Sequence, residues 1–413
     1  MMAELAGYLQ ISPWPPVPDV VFWAALMLVV GGLIGEQVFR NFGLPRIVGY
    51  SAVGVLIALL GRNASVMELR GTLRLIVDLA LGLLLFELGA RVNLRWLRAN
   101  PALLATSAAE VTASFFAMFA ALRWLGNDHN IALTCATVGV AASAAVVGRV
   151  AGEFGAAGQV TERMIVLTAL NTLAAVLLHK LVIGWLHLDV AGNWVQGISQ
   201  PLYTFGGSML VAALLARLVA AVAQRLDLRD ENSVLLLLGL IVLALAAARM
   251  LDLSTLLVPL IAGVMLRNTS QRPWVWPRHF GTAGGVLVLM LFVIVGAAWT
   301  PQALLAGGMA AAVLLLARAA AKGVVVVGLA RWSGIGTRQS LALALTLTPI
   351  SGTALVMLAE LQLNHALFAA TVAPIVFSAI AIMELIGPIA VQQALRLAGE
   401  LQPRSEPPKE PTR

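Results

Sequence analysis

Two groups of opposite charge stand where a mostly apolar chain has little reason to keep them. Glu110 follows Pro101 by nine residues, and Lys322 precedes Arg331 by nine. On helices rising from the same side of a membrane, nine residues correspond to roughly 13 Å of depth, further than a lysine stem easily snorkels. Each charge alone is costly there, so the two either meet or face a wet cavity. Two readings follow: an ion pair that locks two helices, or a pair that binds and couples an ion. Arg318 lies one turn from Lys322 on the same helical face and competes for the same carboxylate.

Two stretches of small residues are the second chemical signal. One is TVGVAASAAVVG (137–148), which contains Ser143; the other is LTLTPISGTAL (345–355). In the second, Pro349 removes a backbone donor, and Ser351 and Gly352 follow it. Either stretch alone reads as close helix packing. Together they predict discontinuous helices that cross at mid-membrane and offer backbone groups to a substrate.

Other polar residues carry less. Glu87 lies one turn before Arg91 and reads as a helix-end pair, while Asp78 shares the same span. Glu384, four residues before Pro388, reads as a helix-end or packing residue, and His179 and Lys180 read as interfacial. The single cysteine, Cys135, reads as a small core residue. No carboxylate and histidine cluster has metal-ligand spacing, and no glycine loop suits a phosphate, so neither a cofactor nor an ATP-driven pump is expected.

The elements that must position these groups follow from composition. Of 413 residues 60% are hydrophobic and only 11% charged, against about 25% charged in a typical soluble domain. Mean hydropathy is +0.90. These values argue against a soluble enzyme, a disordered scaffold or a nucleic-acid binder, and no loop is long or polar enough to house a soluble-facing active site. A spanning helix needs about 20 apolar residues. On that rule spans lie near 20–38, 45–61, 72–91, 101–123, 130–150, 163–186, 200–224, 233–250, 254–266, 281–299, 302–330, 339–360 and 366–396. Segment 1–19 precedes them, and 400–413 is expected to be a disordered tail. Nineteen of the 27 basic residues fall on one face of this topology, which predicts an outside N-terminus and a cytoplasmic C-terminus. The net charge of +7 then describes topology and needs no acidic partner.

The chain also repeats itself. Segment 43–57 aligns with 252–266, matching Gly54 to Gly263; 83–90 aligns with 289–297, matching Gly89 to Gly296; and 142–147 aligns with 351–356. The offset stays between 206 and 209. Repeats at 20–186 and 233–399, joined by a linking helix at 200–224, cross an odd number of spans and are therefore inverted.

The segments GLPRIVGYSAVGVLI, LALGLLLFELGARVNLRWL, ASAAVVGRVAGEFG, LVPLIAGVML, LMLFVIVGAAW, AKGVVVVGLARWSG and ELIGPIAVQQALRLAGE carry a resemblance over about 20–400. In their order and spacing the chain resembles the monovalent cation:proton antiporter family, the branch of bacterial potassium-efflux systems and sodium/proton exchangers. The resemblance implies an all-α membrane protein of about thirteen transmembrane helices, with two inverted repeats and crossed, discontinuous fifth and twelfth spans. It also implies a homodimer in the lipid bilayer of the cell (inner) membrane, and an elevator-like core of spans four to six and eleven to thirteen. Its substrates would be a monovalent cation and a proton, with no nucleic acid and no metal beyond the transported cation.

One departure stands out. The family usually carries an Asn-Asp, Asp-Asp or Gln-Asp pair in its sixth span, whose last Asp binds cation and proton. Here ALNTLAAVLL puts Asn171 in the first place and Thr172 in that of the Asp, while the family's basic residue of the eleventh span matches Lys322. A threonine hydroxyl can ligate a cation but releases no proton near neutral pH. Three accounts remain open. Glu110 supplies the carboxylate, its proton affinity tuned by burial and Lys322, and exchange persists; an ion moves without protons; or the protein no longer transports and serves as a sensor or partner.

Overall fold

A computed structural model describes residues 20–60, 72–191, 194–225, 231–269, 280–298, 300–350 and 352–402. The expectations for 1–19, for Ser351 and for the tail from 403 onward lie outside the described residues.

Every regular element described is a helix. In chain order these are α1 (Val20–Phe42), α2 (Arg46–Leu60), α3 (Thr72–Arg91), α4 (Leu94–Ala99), α5 (Pro101–Trp124), α6 (His129–Val140), α7 (Ala144–Glu153) and α8 (Gln159–Ala191). There follow α9 (Trp194–Arg225), α10 (Glu231–Met250), α11 (Leu257–Thr269), α12 (Phe280–Ala297), α13 (Pro301–Gly328), α14 (Thr337–Thr346), α15 (Gly352–Asn364) and α16 (Ala366–Ala398). Among the described residues seven stretches are long and apolar enough to cross a membrane unaided, and shorter apolar helices lie between them. The fifth and twelfth spans are each split in two, into α6 and α7 and into α14 and α15.

Several helix bounds differ from the hydropathy reading. The sixth span runs on to Ala191, and the linking helix already starts at Trp194. Between the third and fourth spans lies α4, for which the apolar runs held no signal. It forms because Asn93 caps it, accepting from the amides of Arg95 and Trp96 at 3.0 and 3.2 Å. Asn268 of α11 then ties it down, accepting from Leu94 N at 2.8 Å and donating to the Val92 carbonyl at 2.9 Å.

Packing follows the repeats. Helices α2 and α12 pack together, as do α3 and α11. Gly54 lies against the backbone of Val293 and Gly296, and Gly263 against that of Phe86 and Gly89, so a Cβ at either position would overlap a main chain. Gly54 matches Gly263 in the repeat, and Gly89 matches Gly296. Exchanging the halves therefore turns one contact into the other, as a two-fold relation requires. On the other side of the molecule α13 packs between α5 and α16, and α6 and α8 pack together beside them.

The residues just past α16 are held in place. Glu400 accepts from the amides of Val160 and Thr161 and from the Thr161 hydroxyl, each at 2.7 Å. Its carbonyl accepts from Ala157 N at 3.1 Å. A carboxylate is favourable at a helix N-terminus because the first-turn amides are otherwise unpaired. Glu400, expected to begin a disordered tail, instead caps α8.

Candidate functional site

The site forms where α5, α8 and α13 meet the two broken spans. Pro101 begins α5, where its missing amide costs nothing, and Glu110 stands nine residues further along. Glu110 forms an ion pair with Lys322 of α13, and neither side chain has any exposed surface. Asn171 of α8 joins them, its amide donating to Glu110 Oε1 at 3.3 Å. The depths counted along the sequence thus bring three of the four expected ion-site residues into contact.

The fourth, Thr172, is buried beside them, but its hydroxyl turns to the backbone. It donates to the Thr168 carbonyl at 2.8 Å and approaches the Ala142 carbonyl at 3.4 Å. Ala142 lies in the break of the fifth span, so Thr172 still touches the crossover.

Of the predicted crossover residues Ser143, Pro349 and Gly352 lie at the two breaks, which also have an unforeseen organiser. Between α6 and α7 the chain is extended, and Ser143 caps α7 by accepting from Val146 N at 3.2 Å. Ser143 N in turn donates to the Pro349 carbonyl at 3.1 Å, joining the two breaks. Gly352 begins α15 against Leu81, and Pro349 packs on Gly387.

Arg318 does not compete for Glu110. Its guanidinium donates to the carbonyl of Gly139, to those of Ala141 at 3.0 Å and Leu347 at 2.9 Å, and to that of Thr348 at 3.2 Å. It also reaches the Pro349 carbonyl at 3.4 Å. These are the carbonyls left over at the C-terminal ends of α6 and α14, where the helix dipoles concentrate negative charge. Lysine could not serve them all, since only a planar fork presents five donors at fixed angles. Arg318 and Lys322, one turn apart, are thereby divided between backbone and carboxylate.

Beside the predicted Glu110 and Asn171, three polar groups on α5, α6 and α8 escaped notice in the sequence. Ser114 Oγ, Thr134 Oγ1, Thr168 Oγ1, Glu110 Oε2 and Asn171 Oδ1 are buried and make no hydrogen bond. Leaving such an atom unpaired costs about 1–3 kcal/mol. The available signal was spacing: Ser114 is one turn beyond Glu110, and Thr168 one turn before Thr172. These are buried oxygens on α5, α6 and α8, and oxygen is the donor type that suits a hard cation.

The secondary polar residues each have a defined setting. His179 is wholly buried, with Nε2 3.1 Å from the Met357 carbonyl. Glu384 is also buried, accepting from the Ser51 hydroxyl at 3.1 Å. Glu87 pairs with Arg91 at 2.6 Å as expected.

The transmembrane model of the sodium/hydrogen exchanger family matches residues 25–397. The chain belongs to that family. Among solved structures the chain is similar to the sodium proton antiporter MjNhaP1 from Methanocaldococcus jannaschii, determined at pH 8. The TM-score is 0.65 at 16% sequence identity, over 92% of this chain and 95% of the other. At that identity the likeness shows the fold, which is the antiporter fold read from the sequence. No curated protein matches the chain significantly. The protein is thus a multi-pass membrane protein of a transporter family, with a buried carboxylate–ammonium pair beside its crossover.

Proposed function

We propose that the protein exchanges a monovalent cation, Na+ or K+, for protons by elevator-like alternating access, with Glu110 taking the part of the absent sixth-span aspartate. The observation that carries this reading is the fully buried Glu110–Lys322 pair, in contact with Asn171. A proton and a metal cation cannot occupy the same carboxylate together, so binding one expels the other. The Lys322 ammonium is a third competitor that neutralises Glu110 when neither is bound. Asn171 Oδ1 and the unpaired hydroxyls of Ser114 and Thr168 supply neutral oxygen, so the cation need not carry its water. Arg318 and the link from Ser143 to Pro349 hold the two breaks together around this point. On this reading the protein works as a homodimer in the inner membrane, with the Arg-rich face and the C-terminus in the cytoplasm.

A second reading draws on Thr172, whose hydroxyl is spent on backbone carbonyls. With no titratable group at that place, the protein would move an ion without protons, or sense rather than transport. Proteoliposomes with an internal pH-sensitive dye separate the two. Cation-dependent proton movement that Glu110→Gln abolishes supports exchange. Ion flux at constant internal pH supports the second reading, and so does silence relieved by Thr172→Asp.

A further inference from the structure

The elevator reading divides the chain into a moving core, α5–α8 and α13–α16, and the remaining helices. Among the described residues, three polar side chains of that core form hydrogen bonds across the boundary, each to the α1–α2 hairpin. Glu153, the last residue of α7, accepts from the backbone amide of Arg46 with both oxygens at 3.2 Å and from its Nη1 at 3.1 Å. Gln392 of α16 donates to the Gly43 carbonyl at 2.6 Å, and Glu384 accepts from Ser51 as described above.

The Glu153 contact is more elaborate than a surface salt bridge. Arg46 begins α2, so Glu153 occupies the positive end of that helix and the guanidinium at once. Its own side chain is only 4% exposed, whereas that of Arg46 is 33% exposed. Arg46 is further fixed by Glu36 at 2.8 Å and by stacking 4.0 Å over the Phe39 ring. Phe39 in turn meets Phe154, next after Glu153, with ring centroids 5.9 Å apart. At the opposite face the carboxylate near the end of the other half-helix behaves differently. Glu360 of α15 is held by Lys180 of α8 at 2.8 Å, both within the core. A bridge from the end of a half-helix to the hairpin is thus made at the Arg-rich face, and its opposite-face relative is kept inside the core.

We propose that Glu153 is a latch: it holds the core to the α1–α2 hairpin in this state and lets go of Arg46 each time the core moves. This rests on the elevator reading above. A buried bond at the end of a broken helix that carries the crossover sets how readily the core leaves this position, without touching the transported ion. The exchange partner for Arg46 after release is Glu36, already in contact, so the guanidinium is never left alone.

Two measurements decide it. Nitroxide labels on Asn41→Cys and Glu162→Cys, both exposed and on either side of the boundary, report core position by electron–electron resonance, and Cys135 is buried and escapes labelling. Wild-type protein should show one dominant distance; Glu153→Gln should shift population to a second distance that the wild type holds as a minor one. An identical single distance in both proteins overturns the latch, whether or not the protein transports. In proteoliposomes, a short bifunctional thiol reagent joining Phe39→Cys to Phe154→Cys should stop transport, and reductant cleaving its disulfides should restore it. Undiminished flux through the cross-linked protein also overturns the latch. Absence of any flux before cross-linking counts against the transport reading alone, and the spin-label distances then decide the latch.

Discussion

The carboxylate of Glu110 and the ammonium of Lys322 are paired with no solvent on either side. Removing one partner of such a pair typically costs about 3–5 kcal/mol, because the other charge is left buried. Lys322→Met and Glu110→Gln should therefore each lower the melting temperature in detergent, and the double variant should lose less than the sum. A simple additive loss would mean that the two groups do not share their charge.

Arg318 is expected to matter more for shape than for charge. Arg318→Lys keeps the charge but cannot serve the carbonyls of both α6 and α14. Hydrogen exchange in residues 139–146 and 347–356 should accelerate in Arg318→Lys while the rest of the core stays protected. Unchanged exchange at both breaks would remove Arg318 from the role assigned to it.

The glycine contacts between the repeats make a graded prediction. A Cβ at Gly263 overlaps the Phe86 carbonyl and one at Gly54 overlaps that of Val293, whereas one at Gly239 meets nothing. Gly263→Ala and Gly54→Ala should destabilise by about 1–3 kcal/mol through overpacking. Gly239→Ala should stabilise by up to about 1 kcal/mol through helix propensity. Thermal unfolding of the three variants checks the order.

Glu400 caps α8 from beyond the last span. Glu400→Ala should cost about 1 kcal/mol, the usual value of a helix cap. Faster amide exchange at Val160 and Thr161 is the local reading, and Glu400→Gln should recover part of the loss, since its amide oxygen still accepts.

At the opposite face, burial and then the neighbouring His187 ring, 6.3 Å away, hold His365 below the ordinary histidine range. The folded protein thus favours neutral His365. Its contribution to stability is complete above the ordinary histidine value and is lost as pH falls through and below it. Nuclear magnetic resonance of the ring should place its titration low, and His187→Gln should move it upward. A titration indifferent to His187→Gln would leave burial as the whole cause.

Much of this was legible in one dimension because a bilayer simplifies the problem. Apolar length set the spans, and small residues with Pro349 marked the breaks. The nine-residue counts put Glu110 and Lys322 at one depth, since rise per residue in a helix is constant. Sequence could also register that Thr172 stands where the family keeps an aspartate. Depth says nothing about azimuth, however, and partners are chosen by azimuth. Arg318 and Lys322 share a helical face, yet only tertiary packing sends one to the carbonyls of two broken helices and the other to Glu110. Likewise Glu153 and Arg46 lie 107 residues apart and meet because α7 ends beside the start of α2. Local spacing determined which groups are buried; the crossing of helices distant in sequence decided what each of them touches.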